Sequence, residues 1–185
     1  MKIAIIGASG RVGAEFSRYA GRAEFILWSH EDLEVSNRHA VERRIAESDA
    51  EIVVNMAAYH NTDTAEGNPE RTFAVNAAGA LFVAKACAAH GKKVVFASTD
   101  YVFGGDSLRR KPYLESDCAD PVNVYGVSKV AGETLVRATC PDHLIIRTSN
   151  LFGGIGAGKG WSFPEMVVQR AQAHQTLRIV ADQVM

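Results

Sequence analysis

Met1-Lys2-Ile3-Ala4-Ile5-Ile6-Gly7-Ala8-Ser9-Gly10-Arg11-Val12-Gly13 opens the chain and decides its fold. Residues 3–6 are wholly apolar, as expected of a central parallel strand buried on both faces. The glycines that follow lie between that strand and a helical stretch over residues 12–19. In that setting one glycine permits a tight turn, another lets the backbone approach a pyrophosphate, and the last allows close helix–strand packing. The helix N-terminus adds free N–H groups and a partial positive charge for phosphates. A plain strand-to-helix turn is the bland alternative. Standing at the head of a βαβ pattern, Gly7, Gly10, Arg11, Val12 and Gly13 read as a dinucleotide loop.

Working outward, strands are expected at residues 24–28, 51–55, 93–97, 143–147 and 177–180. Helices are expected at 40–47, 69–90, 122–138 and 163–174. The long helix carries an alanine-rich stretch, and Gly91 ends it as a C-cap glycine should. Strands alternating with helices at this spacing imply an α/β fold: a doubly wound, Rossmann-like parallel sheet of about six or seven strands with right-handed crossovers. The whole chain, residues 1–185, reads as one NAD(P)-binding domain with the substrate lobe largely absent, because it stops just after a strand with nothing to cover a substrate.

Composition narrows the function. A formal net charge of −1 carries no signature of nucleic-acid or membrane-surface binding, and the longest apolar runs look too short to span a bilayer. Arg109-Arg110-Lys111 reads as a solvated loop tip. Cys87, Cys118 and Cys140 have no metal-ligand spacing and read as reduced thiols in a cytoplasm. No metal site is expected.

Ligands of open α/β sheets bind beyond the carboxyl ends of the strands. Gly7, Ala57, Ala58, Ser98, Thr99 and Thr148 all fall just after expected strands and so gather on one edge. Tyr125 and Lys129 stand four residues apart on an expected helix, one turn from each other on one face. A fixed positive charge near a phenol lowers its pKa, and a general acid works best when its pKa approaches the operating pH. Read this way, Tyr125 protonates a developing alkoxide and Thr99 hydrogen-bonds the same oxygen. Lys129 lowers the pKa of Tyr125 and reaches the nicotinamide ribose. The rival reading, a helix-capping tyrosine and a snorkelling lysine, would win for an isolated pair. At the end of the second strand no carboxylate stands at the expected place, since Glu31 and Asp32 come late. Ser29, His30 and Arg11 offer donors to a 2′-phosphate. NADPH is therefore favoured over NADH, which the strand end still admits, and His30 as a plain surface histidine stays open.

These residues resemble the extended short-chain dehydrogenase/reductases, and within them the dTDP-4-dehydrorhamnose reductase family. The resemblance is carried by Gly7-x-x-Gly10-x-x-Gly13, Asn55-Met56-Ala57-Ala58, Asp63-Thr64-Ala65-Glu66 and Val75-Asn76. It continues through Ser98-Thr99-Asp100-Tyr101-Val102-Phe103, Pro121 to Gly126 with Lys129, Gly132 and Glu133, and Arg147-Thr148-Ser149. It implies NAD(P)H-dependent reduction of the 4-keto group of a nucleotide-linked deoxysugar. It also implies that Glu34 and Val35 contact adenine, that Ala58, Tyr59 and His60 line the middle of the cofactor with Asn76 nearby, and that Ala97 lies near the nicotinamide. Thr99, Asp100 and Asn150 fall on the substrate side. Related dehydratases follow the threonine with Asp-Glu; here Asp100 precedes Tyr101, so the carboxyl pair for elimination is missing. Asn150 replaces the family's tryptophan and Thr64 its lysine. Glu15 matches a position that contributes to a magnesium-bridged dimer in some relatives; a homodimer is allowed by the resemblance. The rival readings are a non-catalytic NADP-binding subunit resembling the beta subunit of methionine adenosyltransferase, and a sugar-nucleotide epimerase.

Overall fold

The computed structural model describes residues 1–16, 23–151 and 162–179. Five strands form one parallel sheet: β1 (Lys2–Ile6), β2 (Glu24–Trp28), β3 (Ile52–Asn55), β4 (Lys93–Thr99) and β5 (His143–Thr148), in spatial order β2-β1-β3-β4-β5. Between them lie α1 (Arg11–Phe16), α2 (Arg38–Glu47), α3 (Thr62–Gly67), α4 (Pro69–Phe73), α5 (Ala80–Ala89) and α6 (Val124–Thr139); α7 (Phe163–Gln172) follows β5. Ala4, Ile5 and Ile6 of β1 are fully buried, which accounts for the unbroken apolar run that begins the chain. In register, Ile6 pairs with Trp28 on one side and Asn55 on the other, and Thr99 with Thr148. β1, β2 and β3 therefore end level, and β4 and β5 run on together past them, since Asn55 pairs with Phe96.

Helices α2, α5 and α6 pack side by side on one face of the sheet. Alanines on α5 (Ala80, Ala84, Ala86) are buried, and their small size lets the helix settle closely onto β3 and β4. On the other face Phe16 of α1 meets Phe25 of β2 edge-on at 5.5 Å. The core joins Phe96, Val94 and Val53 of the strands to Val41, Ile45, Val83 and Val136 of the helices.

The expected long helix is present, yet it is not uniform. Between α4 and α5 the segment Ala74–Gly79 is a π-helix, so residues 69–89 run on with one locally widened stretch. That run is long and apolar enough by composition to cross a membrane, contrary to the reading of the apolar runs, and more than half of its most apolar window is buried in this fold. Gly91, at φ +62°, ends it. Three expectations need correction. β4 continues two residues further than expected, through Ser98 and Thr99, because both still pair with β5. Helix α3 was not foreseen; Asn61 caps it by accepting the Thr64 N–H at 2.9 Å. The sixth strand does not form among the described residues: Leu177 to Ile179 are irregular and mostly exposed, and they pair with no strand of the sheet. The expected helix beyond Phe16, Val180 and the end of the chain lie outside the described residues.

Candidate active site

The site is built at the carboxyl ends of the strands, from two clusters of residues. The first is the glycine turn. The Gly7 and Ala8 N–H groups both donate to the Trp28 carbonyl, at 2.9 and 3.0 Å, which pins the turn to the end of β2. Gly10 N–H then donates to the Gly7 carbonyl at 2.9 Å. A Cβ on Gly13 would stand 2.5 Å from that carbonyl oxygen and 2.7 Å from the Ala8 Cα. Those are backbone atoms that cannot swing aside, so α1 reaches the turn only with glycine there. Arg11 lies close enough to α7 to act on Glu165, whose carboxyl is held low chiefly by hydrogen bonds from Ser162.

The end of β2 differs from expectation. A carboxylate does return there: Asp32 accepts from the Ser29 N–H at 2.8 Å and from the Ser29 hydroxyl at 2.7 Å. The short turn over residues 29–32 brings the late aspartate back to the strand end, and these hydrogen bonds from Ser29 hold its carboxyl below the usual range. Ser29 is thus engaged, not a free donor. His30 is exposed and sits 3.6 Å from Glu34. Glu34 accepts from the Ser36 N–H and hydroxyl at 3.0 and 2.9 Å, and from Arg71 at 2.6 Å. Burial pushes its carboxyl up, and these donors outweigh that and leave it low. Arg71 and Ser36, unforeseen from the sequence, therefore organise the expected adenine end. Val35 is buried against Gly79 rather than open to a ligand.

Asn76, in the π-helical segment, joins the two clusters. It is fully buried; its carboxamide oxygen accepts from the Tyr59 N–H at 2.8 Å, and its nitrogen donates to the Tyr59 carbonyl at 3.1 Å and the Ser128 hydroxyl at 2.9 Å. Ser128 passes the connection to the Tyr125 carbonyl at 2.7 Å. Asn76 thus stands behind the surface formed by Ala57, Ala58, Tyr59 and His60, fixing it to α6. Ala57 is held in turn by its N–H donating to Asn55 at 3.1 Å.

The second cluster lies at β4 and α6. Helix α6 is anchored at its start by two side-chain caps: Asn123 accepts from Gly126 N–H and Glu66 from Val124 N–H, both at 2.7 Å. A Cβ at Gly126 would fall 2.2 Å from the Tyr101 carbonyl oxygen, so this helix touches the turn after β4 backbone to backbone. Thr99 and Tyr125 come together here, while the Lys129 side chain turns to the strand side of the same region. Tyr125 lies edge-on to Tyr101 at 5.9 Å, and its phenol is near enough to Thr99 to feel that side chain. The Thr99 hydroxyl donates to Asp100 at 3.1 Å and accepts from the Tyr101 N–H at 3.2 Å. Lys129 is buried; its ammonium donates to the Ala97 carbonyl at 2.5 Å and lies 4.0 Å over the Phe96 ring.

The electrostatics are not those expected. Burial raises the Tyr125 pKa; Thr99 opposes this, and Asp100 and Tyr101 add to it. Lys129 is itself pulled down to about 7, because burial outweighs the attraction of Glu133. Its ammonium is turned to Ala97, not to the phenol, so it does not lower the tyrosine here. Tyr125 is consequently a proton-bearing phenol at neutral pH. Asn150 lies just past β5, exposed, near the same edge. Arg109 also departs from its reading as a solvated tip: it pairs with Asp117 at 2.5 Å and lies 4.0 Å over Tyr113, which stacks on Phe103 at 4.1 Å. Among the described residues no three His, Cys, Asp or Glu side chains gather to hold a metal ion.

A parallel sheet with a glycine turn after its first strand and a Tyr-x-x-x-Lys helix beside β4 defines the extended short-chain dehydrogenase/reductase class. Comparison with known proteins agrees. The chain belongs to the family described as the RmlD substrate binding domain, whose profile matches residues 1–185. It is 40% identical to the dTDP-4-dehydrorhamnose reductase of Mycolicibacterium smegmatis, over 99% of this chain and 55% of that protein. It is 35% identical to the spore coat polysaccharide biosynthesis protein SpsK of Bacillus subtilis, over 99% of this chain and 63% of that protein. Among solved structures, a dTDP-4-dehydrorhamnose reductase from Bacillus anthracis in complex with NADP superposes with a TM-score of 0.85 at 32% identity, covering 93% of this chain and 60% of that one. The chain thus spans roughly three fifths of the length of the relatives it matches.

Proposed function

We propose that this chain is the dinucleotide-binding part of an NADPH-dependent reductase acting on the 4-keto group of a nucleotide-linked deoxysugar, as in dTDP-4-dehydrorhamnose reduction. The observation that carries the reading is the placement of Thr99, Tyr125 and Lys129 around the end of β4, on the same sheet edge as the glycine turn. When bound, the nicotinamide cofactor supplies hydride to a carbonyl carbon. Tyr125, protonated at neutral pH, donates its proton to the carbonyl oxygen, and Thr99 holds that oxygen by a hydrogen bond. Lys129 then takes up its position toward the ribose, and the buried site keeps it near the protonation midpoint at neutral pH. The glycine turn holds the pyrophosphate, and Glu34, with Arg71 behind it, marks the adenine end. The bound NADP of the Bacillus anthracis relative supports NADPH as the cofactor. The expected phosphate clamp does not support it equally, since Ser29 is engaged by Asp32.

The assay is loss of NADPH absorbance with dTDP-4-dehydrorhamnose as substrate, using the full-length protein that carries this chain. Turnover dependent on both components is expected. Tight NADPH binding with no turnover on any 4-keto sugar nucleotide would instead favour the non-catalytic binding subunit. Regeneration of the oxidised cofactor with inverted sugar stereochemistry would favour the epimerase.

A further inference from the structure

The carboxylate of Glu133 has no part in the chemistry described so far, yet it is the most heavily engaged buried group in the molecule's described part. It sits on α6 one turn beyond Lys129 and is about 1% exposed. One oxygen accepts from the Ser98 hydroxyl at 2.6 Å and Arg147 Nε at 2.8 Å; the other accepts from Arg147 Nη2 at 2.7 Å and Arg137 Nη2 at 3.0 Å. Three elements therefore meet on one side chain: α6, the end of β4 and the end of β5. Ser98 immediately precedes Thr99, and Arg147 immediately precedes Thr148, the residue paired with Thr99.

A cluster of this kind is a poor source of stability, because taking ions out of water offsets much of their attraction. What four donors on one carboxylate do provide is a fixed geometry, and a bidentate arginine adds to it. Among the described residues the charges around it are few. Glu133 faces Arg147 of β5 and Arg137 and Lys129 of its own helix; Ser98 of β4 is neutral. Arg147 also feels Glu115 from the loop before α6 and lies 5.0 Å over Phe103. Lys129 faces the Ala97 carbonyl and the Phe96 ring, and Glu133 is the carboxylate that acts on it.

We propose that Glu133 is a positioning residue of the reaction centre, tying the ends of β4 and β5 to α6 so that Thr99 and Tyr125 meet, with its negative charge one helical turn from Lys129. This role rests on the reading of Thr99, Tyr125 and Lys129 given above. The direction of the Lys129 shift agrees: burial lowers it and Glu133 alone opposes the fall.

Glu133→Gln in the full-length protein keeps the shape and the Ser98 contact but removes the charge. Its pH profile of kcat/KM should have the basic limb moved toward acid by roughly one pH unit, because the ammonium loses its counter-charge. Glu133→Asp should restore the limb while kcat stays reduced. Arg147→Gln, which strips a competing cation from Glu133, should move the limb the opposite way and serves if Glu133→Gln does not fold. A limb unmoved in every folded variant overturns the proposal, since a purely structural ion cluster would lower activity evenly at all pH. Tyr125→Phe run alongside separates the two claims. If that variant is inactive and the limb is unmoved, only the role of Glu133 falls; if it keeps full turnover, the reaction centre falls and the proposal with it.

Discussion

At the ends of β1 and β2 the chain is held by backbone: Gly7 and Ala8 donate to one carbonyl, and Gly13 admits α1 because it has no side chain. At the ends of β4 and β5 it is held by side chains: Asn76, Ser98, Ser128, Glu133 and Arg147 are each engaged in hydrogen bonds between elements. The difference follows from the work each edge is given. A cradle for phosphate needs close approach of the backbone, which any side chain would obstruct. A proton donor needs a phenol at a set place and protonation state, which only neighbouring side chains and burial can provide. One edge is fixed sterically and the other electrostatically, and mutations should separate them.

The largest expected effect is on the side-chain edge. Tyr125→Phe should lower kcat by roughly 10²- to 10⁴-fold while leaving the NADPH dissociation constant nearly unchanged, measured by steady-state kinetics and by calorimetry. Only the hydroxyl is lost, and the ring still packs against Tyr101. Retained activity would mean that another group is the acid. Gly13→Ala should do the reverse. Forcing a methyl against backbone costs about 1–3 kcal/mol, so cofactor affinity should fall by roughly tenfold or more, read by calorimetry, with the proton-handling residues untouched. Equal affinity would show that the turn is looser than its contacts imply.

Next in size is a pH effect on stability. The Lys129 pKa falls on folding from 10.5 to about 7. Between those values the unfolded chain binds the extra proton, so this residue's contribution to stability rises with pH and is level below about 7. Lys129→Met removes that dependence. The pH-dependent part of its advantage over the parent should therefore shrink as urea melts are taken from neutral pH to about 10. A constant gap would mean that Lys129 is not buried as a charge. Turnover and cofactor affinity should both suffer in the same variant, given its two roles. The smallest effect belongs to Asp32→Asn at the end of β2. Removing the carboxylate beside Ser29 should improve NADPH relative to NADH by up to about fivefold in paired titrations. No change would show that this aspartate does not face the 2′ position.

How much of this could be read in the sequence divides along the same line. The backbone edge was legible because its signals are local: an apolar run, then glycines at fixed spacing, then a helix. Tyr125 and Lys129 were legible for a similar reason, since a four-residue step on a helix defines one face. What escaped depends on residues far apart in the chain. Nothing local tells that Asp32 turns back to Ser29, that Arg71 reaches Glu34, or that Arg109 stacks on Tyr113. The π-helical widening at Ala74–Gly79 has no period of its own, so the buried bonds of Asn76 to Tyr59 and Ser128 could not be read. Lys129 was expected to tune Tyr125 because their spacing is favourable; burial, which spacing does not report, reverses the outcome. The sixth strand did not form among the described residues although β5 leaves an edge open, so a short apolar run does not by itself decide pairing.

Both edges are held to serve a single ligand, and that is the claim most open to direct measurement. NADPH titrated into the isotopically labelled protein, followed by amide chemical shifts, samples both at once. The account predicts that Gly7, Gly10 and Gly13 at one end, and Thr99, Tyr125 and Gly126 at the other, shift together along one binding isotherm. Shifts confined to one edge, or two edges titrating with different midpoints, would contradict it.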